Sequence, residues 1–272
     1  MTFVPDKSSP GEAVVTFLGT GTSVGVPVIG CDCTVCQSKD PRNKRTRCAI
    51  AVRVPNGTFL VDTPPDLRLQ LIREKIRLVH AVVYTHEHAD HIFGLDDLRL
   101  MPFRLGHAIP LFCTETVEST IRRAYAYAFS QREDTHPGAT PQLTFSRIQE
   151  DRFEVLDCPI TPIPMKHGPH FDVFGFRIGD FAYCTDTNHI PDESIERLRG
   201  VRTFVIGALR EEPHPTHFNL EQAIEVANRV GASRTLITHT GCKVDYLKAC
   251  ARLPEGIDLA FDGLQVNVRL DG

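Results

Sequence analysis

Seven consecutive residues, Thr85-His86-Glu87-His88-Ala89-Asp90-His91, place three imidazoles and the Asp90 carboxylate, beside Glu87, directly after the apolar run Ala81-Val82-Val83-Tyr84. Neutral imidazole and carboxylate are the donors that borderline dications such as Zn²⁺ select, and catalytic sites leave one coordination position open for water. A strand ending at Tyr84 would bring His86 and His88, two apart, to one ion from extended backbone. Asp90 and His91 fall where a helix would begin and can turn toward a second ion. A solvated loop is a poor account of the segment, because imidazoles crowded this tightly are destabilising without a cation among them. The pattern predicts a two-metal hydrolytic site.

Three further candidates follow strand-like runs. His167 comes after residues 160–165, Asp186 after Phe181-Ala182-Tyr183-Cys184-Thr185, and His239 after Thr235-Leu236-Ile237-Thr238. Any one alone would read as a surface or capping residue, but loops at one sheet edge sit on a rigid scaffold and can converge on a point. Asp62, closing Leu60-Val61-Asp62, is expected to accept an imidazole N–H and so fix a ligand tautomer.

The elements that must position these residues alternate along the chain. Strands are predicted at 14–18, at 49–54 and 58–61 around the turn Pro55-Asn56-Gly57, and at 79–84. Further strands are predicted at 153–156, 160–165, 173–178, 181–184, 203–206, 235–238 and 259–261. Helices are predicted at 66–75, capped by Asp66 with Leu67, Leu71 and Ile72 inward, then at 91–100, 116–129, 192–199, 220–230 and 244–251. Strands outnumber helices, which predicts an α/β fold of two mixed sheets covered by outer helices. The loop Gly19-Thr20-Gly21-Thr22-Ser23-Val24-Gly25 lacks the Lys-Ser/Thr ending of a P-loop and is expected to serve close backbone packing beside the site.

Nine cysteines are present, and Cys31, Cys33 and Cys36 fall within six residues, suited to clasping one tetrahedral ion. A fourth ligand is required, and Cys242 in His239-Thr240-Gly241-Cys242 is the candidate. It would staple the N-terminal loop to the loop bearing His239. The other five cysteines stand singly and are expected to be small core residues.

The 272 residues are 42% hydrophobic and 24% charged, enough for a full core, and no internal boundary is visible. One domain over 1–272 is expected, with residues 30–36 forming a structural-zinc loop. A net charge of −4 makes nucleic acid an unlikely partner. Residues 1–7 lack a basic-then-apolar leader and no apolar run reaches membrane-spanning length, so no membrane partner and a cytoplasmic location are expected.

The ordered set His86-x-His88-x-Asp90-His91, His167, Asp186 and His239 resembles the signature of the metallo-β-lactamase superfamily. Phe17-Leu18-Gly19-Thr20-Gly21-Thr22 with Asp62 resembles its phosphodiesterase branch. Gly25-Val26-Pro27 followed by Cys31-x-Cys33-x-x-Cys36 is similar to the phosphoribosyl cyclic phosphodiesterases of phosphonate breakdown, which carry an added structural zinc. Where those enzymes have a histidine three residues after the last catalytic ligand, this chain has Cys242, making a site of four thiolates.

The resemblance implies an αββα sandwich in which His86, His88 and His167 hold one divalent ion, Zn or Mn, while Asp90, His91 and His239 hold the other and Asp186 bridges them. Two dications offset by Asp90, Asp186 and one hydroxide leave about one positive charge, suited to a phosphodiester monoanion. A bridging hydroxide is the expected nucleophile. His217 resembles the family's extra active-site histidine and is the candidate general acid. Asp262 also resembles a family position, with no role that its chemistry assigns. The implied substrate is a small, cyclic ribose-type phosphodiester. The alternatives are a tRNA 3′-processing endonuclease, a thioester or lactone hydrolase, and a non-enzymatic zinc-binding protein. A homodimer is implied by the resemblance alone.

Overall fold

The structure is a computed structural model that describes residues 11–130, 136, 138–149 and 151–271; the leader reading over residues 1–7 lies outside them. The first half of the chain supplies strands β1 (Glu12–Gly19), β2 (Ala49–Val54), β3 (Gly57–Val61), β4 (Ala81–Val83), β5 (Ile109–Cys113) and β6 (Leu143–Arg147). The second half supplies β7 (Phe153–Val155), β8 (Cys158–His167), β9 (Phe171–Ile178), β10 (Phe181–Cys184), β11 (Thr203–Gly207), β12 (Arg234–Thr238) and β13 (Ile257–Leu259). The last strand, β14 (Gln265–Arg269), returns to the first sheet. Two seven-stranded sheets result, ordered β14-β1-β2-β3-β4-β5-β6 and β13-β12-β11-β10-β9-β8-β7. Each is mixed: β3 to β6 run parallel in one and β10 to β13 in the other, with antiparallel neighbours completing both.

Both faces of these sheets are covered, which is why the strands read as continuous apolar runs rather than alternating ones. Val15, Phe17, Ile50, Val52, Phe59 and Val61 face inward onto Ile160, Phe176, Ile178, Tyr183, Val205 and Leu236 of the other sheet. The intervening Leu18, Ala49, Ala51, Leu60 and Val82 face helices α1 (Leu67–Arg73), α2 (Ala89–Ile92), α3 (Met101–Leu105) and α4 (Glu115–Ala124). Phe204, Ile206 and Ile237 do the same against α5 (Asp192–Arg197), α6 (Leu220–Val230) and α7 (Tyr246–Cys250). The αββα sandwich expected from the sequence is the observed fold. Helix α6 has the bounds its periodicity predicts, because Asn219 and Gln222 form a reciprocal capping box and Gly231 ends it at φ 72°.

Several local expectations fail for identifiable reasons. Asp66 occupies the cap of α1 but makes no cap bond, its carboxylate accepting instead from Arg47 N and Nη1. Ile72 is 60% exposed and Gln70 takes the inward position, since three- and four-residue spacing from Leu67 reaches Gln70 and Leu71. Its buried amide donates to Thr46 Oγ1 and Arg47 O. The helix expected over 91–100 is broken at Gly94, where a Cβ would lie 2.0 Å from Pro64 O. The chain docks there through Gly94 N to Thr63 O, makes a 3₁₀ turn at Leu95–Leu98, and restarts as α3 at Met101. The helix expected over 116–129 ends at Ala124, where Tyr125 turns inward to donate to Ile92 O. Among the described residues, no helix is long and apolar enough to cross a membrane.

Candidate metal centre

Each candidate side chain leaves the carboxyl end of a strand. Asp62 follows β3, His86 and His88 follow β4, His167 ends β8, Asp186 follows β10 and His239 follows β12, while Asp90 and His91 lie in the single turn of α2. Three of these positions, Asp62 (φ 68°), Asp186 (φ 49°) and His239 (φ 59°), adopt left-handed backbone. Non-glycine residues there cost on the order of 1–2 kcal/mol and persist only where the surroundings over-determine them. Loop 19–25 does part of that work beside His239, where Thr240 N donates to Thr20 O at 3.1 Å and Gly21 forms a bridge with Thr240.

The side chains converge in two adjoining groups. His86, His88 and His167 bring one ring nitrogen each within 4.8 Å of one another, and Asp90, His91, Asp186 and His239 do likewise. His86 Nε2 lies 3.0 Å from His88 Nδ1, close to the roughly 3.3 Å between two nitrogens on one tetrahedral zinc with bonds near 2.0 Å. Asp186 Oδ2 stands 3.1 Å from His239 Nε2 and 3.5 Å from His91 Nε2, and Asp90 Oδ2 stands 3.4 Å from His91 Nε2.

Supporting groups fix the tautomers. Asp62 accepts from Thr85 N, Thr85 Oγ1 and His91 Nδ1 at 2.9, 2.8 and 2.7 Å, so Nδ1 of His91 keeps its proton in either charge state and Nε2 faces the acidic cluster. His167 Nδ1 donates to Thr216 O at 2.8 Å, which leaves its Nε2 for the site. His91 Nε2 and both ring nitrogens of His239 are buried without a hydrogen-bond partner. Buried polar atoms ordinarily have partners, and orphaned imidazole nitrogens beside two carboxylates are what a dication would satisfy. The residues fit two divalent ions.

Protonation separates the two groups. Burial pushes His86 well below the ordinary imidazole range, with the charge on His91 adding to it, and burial lowers His167 as well. For His91 burial acts in the same direction, yet Asp186, Asp62 and Asp90 override it and hold the ring well above that range. Asp186 and Asp90 are held below the carboxylate range, against burial, by His239 and His91 for the former and chiefly by His91 for the latter.

His217, in the loop before α6, stacks on His239 with ring centroids 4.6 Å apart at 21°, and lies 4.6 Å from the ring of His167. A ligating atom of His217 also falls within 4.8 Å of those of His167 and Asp186, closer than its place in the sequence suggested. Burial, with His239 next, pushes its pKa down to about 3, so the ring is a neutral N–H donor at physiological pH. Phe171, which sequence reasoning missed, stands edge-on to His88 at 4.6 Å between centroids.

The sulfur atoms of Cys31, Cys33, Cys36 and Cys242 lie within 4.8 Å of one another. Val28 N donates to Cys36 Sγ and Cys36 N to Cys33 Sγ, at 3.3 and 3.4 Å. The Cys36 amide lowers Cys33 to about 7, whereas burial and the neighbouring sulfurs push Cys242 up to about 12. Four thiols packed so closely cannot all ionise without a cation among them, and the donor set fits tetrahedral Zn²⁺. Cys48, Cys113, Cys158 and Cys184 are buried and Cys250 half-buried, all as free thiols.

Asp262 acquires a role here. Oδ1 accepts from Thr20 N and Oγ1, and Oδ2 from Thr46 N, Thr46 Oγ1 and Arg73 Nη1, joining three loops beneath the site. Asp262→Ala removes the acceptor of five donors and should cost about 3 kcal/mol in urea unfolding; a loss under about 1 kcal/mol would mean that water replaces the carboxylate.

The comparisons with known proteins agree with this geometry. Residues 57–240 match the model of the beta-lactamase superfamily domain. A solved diphosphatase from the PhnP family is 39% identical, with a TM-score of 0.89 over 95% of this chain and 98% of that one. An octanoyltransferase of Porphyromonas gingivalis is 36% identical over 91% of this chain, which spans 50% of that relative's length. A ribonuclease Z of Mycobacterium sp. (strain KMS) is 25% identical over 93% of this chain and 95% of its own. With its two mixed sheets and its histidine–aspartate cluster at their edge, the chain belongs to the beta-lactamase superfamily and has the metallo-β-lactamase fold.

Proposed function

We propose that the protein is a binuclear metal-dependent phosphodiesterase acting on a small phosphodiester, with a cyclic ribose-type phosphate as the leading substrate. The observation that carries this reading is the pair of adjoining donor groups, His86/His88/His167 and Asp90/His91/Asp186/His239, with orphaned imidazole nitrogens in the second. When bound, two dications supply a nucleophilic water of lowered pKa, from ~15.7 toward ~7, and charge stabilisation at phosphorus. The chain's own residues orient that chemistry. Asp62 holds His91, Thr216 O holds His167, and Asp186 lies within reach of both His91 and His239. His217, neutral at rest, donates its N–H toward the departing oxygen and becomes a proton donor only with an anion beside it. Cys31, Cys33, Cys36 and Cys242 would hold a structural zinc, which would tie the residue 31–36 loop to the loop that carries His239.

Zinc and manganese both suit imidazole and carboxylate donors, and availability decides between them. A small-molecule substrate fits the net charge of −4 better than a polynucleotide does. The 39% identical neighbour, a diphosphatase, supports a second reading in which the scissile bond is a phosphoanhydride. The likeness to the octanoyltransferase covers half of that relative and does not enter the reading.

The test is kcat/KM of metal-analysed protein on a ribose cyclic phosphate, a linear aryl phosphodiester, a dinucleoside diphosphate and a thioester. Preference for the cyclic phosphate, abolished by Asp90→Ala, is the expected result. Preference for the diphosphate would move the assignment to the anhydride, and turnover confined to the thioester would sink the phosphorus chemistry.

A further inference from the structure

Arg45 is a cation in the wrong place for its type. It is 1% exposed and is the largest fully buried side chain, yet it bonds no carboxylate. Nε donates to Arg42 O at 3.2 Å, Nη1 to Gly241 O at 3.1 Å, and Nη2 to Asn43 Oδ1 and Val244 O at 2.8 Å each. All four acceptors are neutral. A guanidinium does not discharge by losing its proton, so this burial is costly, and an apolar side chain would fill the same space without that cost.

What the guanidinium does that a hydrocarbon cannot is grip two carbonyls of one loop. Gly241 and Val244 flank Cys242 and follow His239, whose left-handed backbone needs outside restraint. Two backbone bonds supply part of it, Thr240 N to Thr20 O and Gly241 N to Leu209 O. Arg45 adds the side-chain clamp. Asn43 extends it, accepting from Tyr246 N and donating to Asp245 Oδ2 and to Ser38 Oγ, just past Cys36.

We propose that Arg45 is a positioning residue for the histidine–aspartate centre, holding His239 in ligating geometry through the loop that also carries Cys242. The proposal rests on the reading of His239 as a metal ligand. A lysine keeps the charge but lacks the planar fork that reaches both carbonyls at once, so even the conservative change should loosen the clamp.

The experiment is cobalt titration of the full chain as wild type, Arg45→Lys and Arg45→Met, with fold followed by circular dichroism. Near-ultraviolet thiolate-to-cobalt charge transfer reports the cysteine cluster, and equilibrium dialysis with the visible ligand-field bands reports the histidine–aspartate centre. The expected result is a folded Lys variant with the thiolate band intact and one of the two remaining ions bound about 10–100-fold more weakly, the scale seen when an outer partner of a ligand is lost. Wild-type affinity for both ions in the folded variants would overturn the proposal. So would unfolding of both variants, which would make Arg45 a determinant of the fold and not of the site. A wild type that binds cobalt only at the thiolates would instead remove the metal-centre reading itself, and the proposal with it.

Discussion

Asp186→Asn should lower kcat/KM by roughly 10³-fold or more, because several kcal/mol of charge stabilisation are lost at about 1.36 kcal/mol per tenfold. The same variant should retain at most one ion in the histidine–aspartate centre. Asparagine keeps the volume and can still accept from Thr185 Oγ1, bonded at 2.6 Å in the wild type, so the fold should survive. What it removes is the carboxylate within 3.5 Å of the inward nitrogens of both His91 and His239. Elemental analysis beside steady-state kinetics is the check. Two ions retained and activity within tenfold of wild type would show that Asp186 does not join them.

The second large effect is on proton release. Three carboxylates keep His91 protonated in the metal-free protein although burial opposes it, and a ligand nitrogen must give up its proton to bind. Loading the Asp90/His91/Asp186/His239 group should therefore release about one proton at pH 7, with affinity rising about tenfold per pH unit until the raised pKa of His91 is passed. His86 and His167 are already neutral, their pKa values lowered by burial, and release none. The sign for stability runs the other way: in the metal-free protein the His91 contribution is full below about pH 6.5 and is lost as pH rises through the raised value. Calorimetric titration in buffers of different ionisation enthalpy separates the two ions. Uptake of both without proton release would mean that His91 is neutral before metal arrives.

The sequence was most legible where one physical cause acts alone. Strands such as 49–54 and 203–207 are buried on both faces, so apolar content suffices to mark them. Asn219 and Gly231 bracket α6 by local bonds that need no tertiary context. Strands β5, β6 and β14 were not foreseen, because Pro110 interrupts the first, the second is half-exposed, and only Val266 and Val268 of the third face the core. The convergence of the candidate side chains was readable from residue types after strands, and the approach of Cys242 to the other three thiols from the need for a fourth ligand. Arg45 was silent. In Lys44-Arg45-Thr46-Arg47 it looks like part of a solvated basic run, and only long-range contact with residues 241–244 reveals it as buried.

The return of β14 to the first sheet has a consequence for biosynthesis. Every other strand of that sheet lies before residue 148, yet β1 pairs on its outer side with residues 265–269. A chain emerging from the ribosome therefore presents an unpaired β1 edge until residues 265–269 have been made, a state prone to edge-to-edge association. The segment that closes the edge also carries Asp262, whose bonds draw Thr20 and Thr46 together beneath the histidine–aspartate cluster. Completion of the first sheet and tightening of the loops under that cluster are thus delayed to the same late moment, so a nascent first half exposes neither a finished sheet nor a finished cluster.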